Sequence, residues 1–183
     1  PYFMKKTILT TVAGAALLLI SLQSCKKEKA TTTTTPQPNP EYIADNNSFK
    51  GFEGWHLHTT KNGVDPANLG PAHAGDDSTS VRKVYFEGGH GVTRSNNGQF
   101  PIGTLVSKIT TWNSGGGGSM ITAMAKRGNG FDPSGNDWEY FVLNADGSIV
   151  VDNGTTMRGA NIMNSACKNC HAKVKNNDYI FTK

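Results

Sequence analysis

The sequence predicts an α+β fold: one antiparallel-sheet-rich domain over residues 41–183, closed by a C-terminal helix. Three observations predict it. The stretch is rich in Gly, Asn and Thr, which are poor material for a helical bundle. Its apolar residues fall in short runs separated by turn signals. The best helical spacing comes last, from about Gly159 to Val174. It carries Cys167-Lys168-Asn169-Cys170-His171 on its surface, with Ile162, Met163 and Ala166 available to pack behind.

The strands follow in order. Ser80–Phe86 is the first expected. Thr104–Trp112 is the second, opened by the Pro101-Ile102-Gly103 turn, and Ser119–Arg127 is the third, reached through the glycine run 115–118. Trp138–Leu143 and Ser148–Asp152 are expected to form a hairpin around Asn144-Ala145-Asp146-Gly147, because Asp-Gly favours a tight turn. No internal repeat is visible, and the stretch is of single-domain size.

Residues 1–24 read differently. After a leading extension, Pro1 to Phe3, a signal peptide is expected from Met4. Lys5 and Lys6 form its positive region and Thr7–Leu22 its apolar run. The run ends in Leu22-Gln23-Ser24-Cys25, similar to the lipobox of bacterial lipoproteins, in which cleavage precedes a cysteine that becomes lipidated. A transmembrane anchor is the competing reading, but the run is short for a span, and a small residue before Cys favours cleavage. Residues 25–40 are then a lipid-bearing Cys25 and an extended tether, Thr31–Thr35 followed by Pro36, Pro38 and Pro40, with too few apolar groups to pack. Of the formal net charge of +4, Lys5 and Lys6 carry +2 and residues 26–29 another +2, so residues 41–183 are neutral. The domain offers no basic surface for nucleic acid.

Cys167-Lys168-Asn169-Cys170-His171 carries the chemistry. Two thiols at this spacing can each add to a vinyl group of one haem, and the following histidine is then held at the iron as proximal ligand. A redox dithiol or half of a zinc site shares the Cys-x-x-Cys spacing. Thiolate zinc would want a second cysteine pair, and a thioredoxin-like site would sit early in a βαβ pattern. With Cys25 taken by lipid, the three cysteines are accounted for, and covalent haem c, one per chain, is the expected cofactor. Haem attachment and lipidation both belong outside the bacterial cytoplasm, so a periplasmic or cell-surface protein anchored by acyl chains is expected.

Only twelve residues follow His171, and none is Met or His. Small electron-transfer cytochromes c attach haem early and recruit a downstream Met; here a sixth ligand must come from upstream. The candidates are His56, His58, His73, His90, Met120, Met124, Met157 and Met163. Each has an ordinary reading as strand core, helix packing or surface, so an open distal site is expected, suited to small-molecule chemistry.

Phe100-Pro101-Ile102-Gly103-Thr104 with Lys108, then Asn136-Asp137-Trp138-Glu139-Tyr140-Phe141, then the Cys-x-x-Cys-His motif and Asp178-Tyr179-Ile180-Phe181-Thr182, occur in the order seen in the cytochrome P460 family, which the chain resembles over most of residues 50–183. The resemblance implies a β-rich, often dimeric haem c domain with a proximal His and a distal pocket for small nitrogen species. In one branch, hydroxylamine is oxidised by enzymes whose haem bears an extra link from a lysine; in another, the β-sheet cytochromes c′, an apolar pocket binds nitric oxide. It implies that Lys108 stands at the cross-linking position and that Arg82 matches a distal-pocket arginine. Lys108 shares a strand face with Val106 and Thr110, where a lysine needs water, an acid or a chemical use; an edge lysine reaching solvent is the alternative. For Arg82 the alternative is a surface salt bridge. One departure stands out. Oxidation of hydroxylamine needs a proton acceptor, and the strand after the lysine strand offers Thr122 where the enzymes are expected to carry an acid. Asp132, Asp137 and Glu139 are nearby in sequence but have no assigned place in the pocket. The expected partners are a nitrogen-oxide or hydroxylamine ligand, a periplasmic redox protein and a second copy of the chain. A six-coordinate electron-transfer cytochrome remains the third class.

Overall fold

The computed structural model describes residues 40–65, 72–88 and 94–181. The expected signal peptide, Cys25, the tether up to residue 39 and His90 lie outside the described residues. The β-strands are β1 (His56–Asn62), β2 (Val81–Phe86), β3 (Leu105–Trp112), β4 (Gly118–Lys126), β5 (Trp138–Leu143), β6 (Val151–Asp152), β7 (Thr155–Thr156) and β8 (Arg158–Gly159). Six of them make one antiparallel sheet in the order β1-β2-β3-β4-β5-β8, while β6 and β7 pair separately. The α+β expectation holds: a mostly antiparallel sheet, with one α-helix among the described residues, α1 (Ala166–His171), near the C-terminus.

Alternation along the strands gives the sheet two covered faces. In register across the centre, Val106 faces Met124, and Met124 faces Tyr140. These join Phe86, Trp138, Phe100, Tyr179 and Ile180 in one apolar cluster. One residue out of phase, Leu105, Ala123, Ala125, Phe141 and Leu143 pack with Ala44, Phe49 and Ile149 on the other face. Both faces are therefore closed by chain from outside the central strands. Each large apolar side chain removed from water contributes about 1.5–3 kcal/mol. Gly147 sits at φ 84 in the turn after β5, and a Cβ there would collide with the Phe49 carbonyl, so the turn glycine also lets the N-terminal segment close.

Three expectations need correction. The hairpin after β5 begins as expected, with Asn144 N donating to Ser148 O at 2.9 Å and a bridge from Leu143 to Ile149. The chain then leaves: Val151–Asp152 pairs with Thr155–Thr156, and Arg158–Gly159 takes the place beside β5. The helix expected over 159–174 is confined to Ala166–His171, with a 3₁₀ segment Ala172–Asn177 after it. Met163, Asn164 and Ser165 all have left-handed backbone (φ 52, 53 and 62), which an α-helix of L-residues does not admit. Met163 is 53% exposed and Ala166 is exposed too, so neither packs behind the motif; Ile162, Cys167 and Ala172 do. Finally, β1 is an edge strand the apolar pattern did not announce.

Candidate functional site

One face of the sheet, the segment before β2 and the C-terminal segment enclose a cavity of about 830 Å³, part of it open to solvent. Val84, Val106, Met124, Tyr140, Ile180 and Phe181 supply apolar wall, and Cys167, Cys170 and His171 all reach it. The two cysteines are unpaired and half-buried. Burial raises the Cys167 thiol above its usual value, against the opposing pull of Lys108.

His171 is held on several sides. Its ring lies 5.4 Å from that of Tyr140 and 5.3 Å from that of Phe181. Its Nδ1 is 2.6 Å from the Tyr179 carbonyl, which can only accept, so the ring proton sits on Nδ1 and the Nε2 lone pair is left for another partner. Burial, aided by Lys108, pushes the imidazole down to about 4, so it is neutral at ordinary pH. A neutral imidazole with a fixed tautomer is the form that ligates a metal.

The Tyr179 carbonyl is in turn held by its neighbour. Asp178, 3% exposed, pairs with Lys126 at 2.9 Å. It also accepts from Phe100 N at 2.6 Å, Trp138 Nε1 at 3.1 Å and Asn136 Nδ2. Phe100, Asn136, Trp138 and Asp178 all belong to the segments singled out in the sequence. Their shared geometry is a clamp that fixes the C-terminal segment against the sheet. The short helix has its own tie: Lys168 pairs with Asp132 at 3.2 Å and donates to Ser134 Oγ at 3.2 Å.

The polar part of the cavity comes from elsewhere. Lys108 lines it, with Thr122 directly opposite on β4. Burial lowers the amine to about 7, with Cys170 and Asp65 pulling upward and Arg82 and Lys61 downward. Arg82 is 2% exposed, but its guanidinium is largely engaged: Nη1 donates to Ala74 O at 3.0 Å and to Ser80 Oγ, and Nη2 to Gly63 O. Its Nε lies 3.8 Å from the Asp65 carboxylate. Asp65, 3% exposed, also lies 3.8 Å from Lys61 Nζ and lines the cavity. It is the carboxylate that the strand pattern did not supply. Asp132, Asp137 and Glu139 do not line the cavity. Asp132 binds Lys168, Asp137 accepts from the Gly130 and Asp132 amides, and Glu139 pairs with Arg158 at 2.8 Å. Among the described sixth-ligand candidates, His73 and Met124 reach the cavity.

Haem fits this set of residues. The walls are apolar, both thiols and a tautomerically fixed imidazole share them, and Tyr140 Oη is buried among them without a hydrogen-bond partner. A group with an apolar body and polar edges suits such a lining. The family model described as Cytochrome P460 matches residues 49–182. No curated protein and no solved structure matches the chain.

Proposed function

Since the chain belongs to the cytochrome P460 family and is a haem-binding cytochrome of that type, we propose that it carries one covalent haem c on Cys167 and Cys170, with His171 as proximal ligand, and handles a small nitrogen species in the remaining cavity. The observation that carries this reading is the arrival of both thiols and the Nδ1-bonded imidazole at one apolar cavity. Haem, when bound, supplies an iron centre that takes a small ligand and exchanges electrons.

The residues around it have distinct tasks. The Tyr179 carbonyl orients His171 and keeps its proton on Nδ1. The apolar wall limits water. Lys108, lowered to about 7, has a substantial unprotonated fraction at neutral pH, and an amine in that state is a nucleophile. Its presence in the cavity supports the lysine-linked, hydroxylamine-oxidising branch over solvent-facing lysine. Asp65 gives that branch the proton acceptor it requires, and a redox protein would receive the electrons. Nitric oxide binding without turnover is the second reading, favoured by the apolar share of the wall. In both readings the protein works outside the cytoplasm, lipid-anchored through Cys25, and can pair with a second copy of itself.

The test is the ferrous absorption spectrum of the soluble domain, residues 41–183, produced with a haem c maturation system, for wild type and Lys108→Ala. A far-red Soret band that returns to an ordinary position in the variant supports a Lys108 link and the oxidising reading. An ordinary five-coordinate spectrum in both leaves nitric oxide binding. A product with no covalent haem overturns the whole assignment.

A further inference from the structure

The cavity holds a second imidazole. His73 comes from the short turn Ala72–Ala74, which packs against β3. It sits at φ 53, ψ 39, and Ala74 follows at φ 47, so two consecutive non-glycine residues occupy the left-handed region. Such conformations cost of order 1 kcal/mol each and persist where the surroundings impose them. Here the restraint is visible: buried Arg82 grips the Ala74 carbonyl at 3.0 Å, one residue from His73. The guanidinium is therefore a positioning group for the turn.

The two cavity histidines differ in one decisive respect. His171 has a carbonyl at Nδ1, which fixes its proton there and frees Nε2 as an acceptor or ligand. His73 Nδ1 is buried with no hydrogen-bond partner. No protein group at Nδ1 fixes the tautomer of this ring, so its one N–H is open to whatever occupies the cavity that His73 lines. Burial, with Lys108 and Arg82 as neighbouring positive groups, keeps the ring well below the usual imidazole value and hence neutral. A neutral ring carries one N–H, which it can give to a small acceptor in the cavity.

We propose that His73 is a hydrogen-bond donor of the cavity, giving its ring N–H to a small ligand with an accepting oxygen or nitrogen atom, while Arg82 holds the turn that carries it. The inference rests on the haem c reading above. It gives the pocket a preference: ligands with a polar outer atom are retained over apolar ones of equal size. Arg82, whose charge is spent on backbone carbonyls, acts on the ligand through His73.

The experiment uses the reduced, haem-loaded domain with carbon monoxide as vibrational probe and nitric oxide release as kinetic probe, for wild type, His73→Leu and His73→Gln. Loss of the donor in His73→Leu is expected to raise the C–O stretching frequency and speed nitric oxide release roughly tenfold. His73→Gln, which keeps an N–H, is expected to stay near wild type in both. An unchanged stretch in His73→Leu overturns the proposal. So does a six-coordinate low-spin spectrum before ligand addition that disappears in His73→Leu, because His73 would then be bound at the metal itself. An alkaline pyridine spectrum of wild type lacking covalent haem sinks the underlying haem reading, and this proposal falls with it.

Discussion

Replacing Asp178 by Asn tests how the C-terminal segment is held. The substitution keeps shape and removes one negative charge from a site 3% exposed. Lys126, also 3% exposed, is left with Asn136 O at 2.7 Å as its remaining hydrogen-bond acceptor. The amide must also take over the Phe100 and Trp138 N–H groups at 2.6 and 3.1 Å while bringing two hydrogens of its own. Breaking one side of a buried ion pair costs about 3–5 kcal/mol. Lys126→Met should be milder, because the carboxylate keeps three N–H donors, from Phe100, Asn136 and Trp138. The double variant should lose less than the sum of the two single losses by about 1–3 kcal/mol. Urea denaturation of the haem-loaded domain, followed by far-ultraviolet circular dichroism, measures all three. A loss under 1 kcal/mol for Asp178→Asn, or strict additivity in the cycle, would refute the clamp.

Other outcomes follow from single features. In a Cys167→Ala/Cys170→Ala protein, which cannot attach haem, acid should destabilise the fold. The unfolded His171 ring binds a proton below about pH 6.5, whereas the buried ring waits until about 4. The unfolded state thus binds more protons in that window, and about 3 kcal/mol is lost as pH falls through it; a urea midpoint that does not move between pH 7 and 4.5 counts against the buried neutral ring. Phe49→Ala removes a fully buried ring 5.0 Å from that of Phe141, on the sheet face away from the cavity cluster. It should cost about 3–5 kcal/mol and leave the visible spectrum unchanged, and a shifted spectrum would show that the two faces are not separate. Met163→Gly relieves a left-handed backbone at an exposed position; thermal denaturation should show a gain of about 0.5–1 kcal/mol, and a loss would mean that the Met163 side chain packs.

What could be read from the sequence was what repeats along a strand. Val81–Phe86, Leu105–Trp112, Gly118–Lys126 and Trp138–Leu143 lie within two residues of their expected bounds, because each buries apolar side chains in a core of the sheet, the last three on both faces. β1, His-Leu-His-Thr-Thr-Lys-Asn, sits at the sheet edge with no fully buried residue, so it has no apolar alternation to detect. The helix was overextended because its spacing ignores φ, and nothing in Met163-Asn164-Ser165 announces three left-handed residues in a row. The Cys-x-x-Cys-His motif was plain since its spacing is local. Asp65 was not, and His73 stood only as one of eight candidate ligands, because both lie in the connection between β1 and β2 and reach the cavity through the fold alone.

The six-residue length of α1 has a consequence for assembly. A helix that short has no stability of its own in water, where isolated helices below about 12–15 residues are marginal. No side chain caps its first turn, and the three residues leading into it hold a backbone form that disfavours helix. Its order is borrowed from the Lys168–Asp132 pair and from Cys167 and Ala172 against the sheet. Without anything to fill the space beneath it, this stretch has few ties of its own to the β-framework. On the proposed haem c attachment, linking the Cys167 and Cys170 sulfurs to an object lodged against the sheet would turn a loose flap into a sealed lid, and the same bonds would complete the fold.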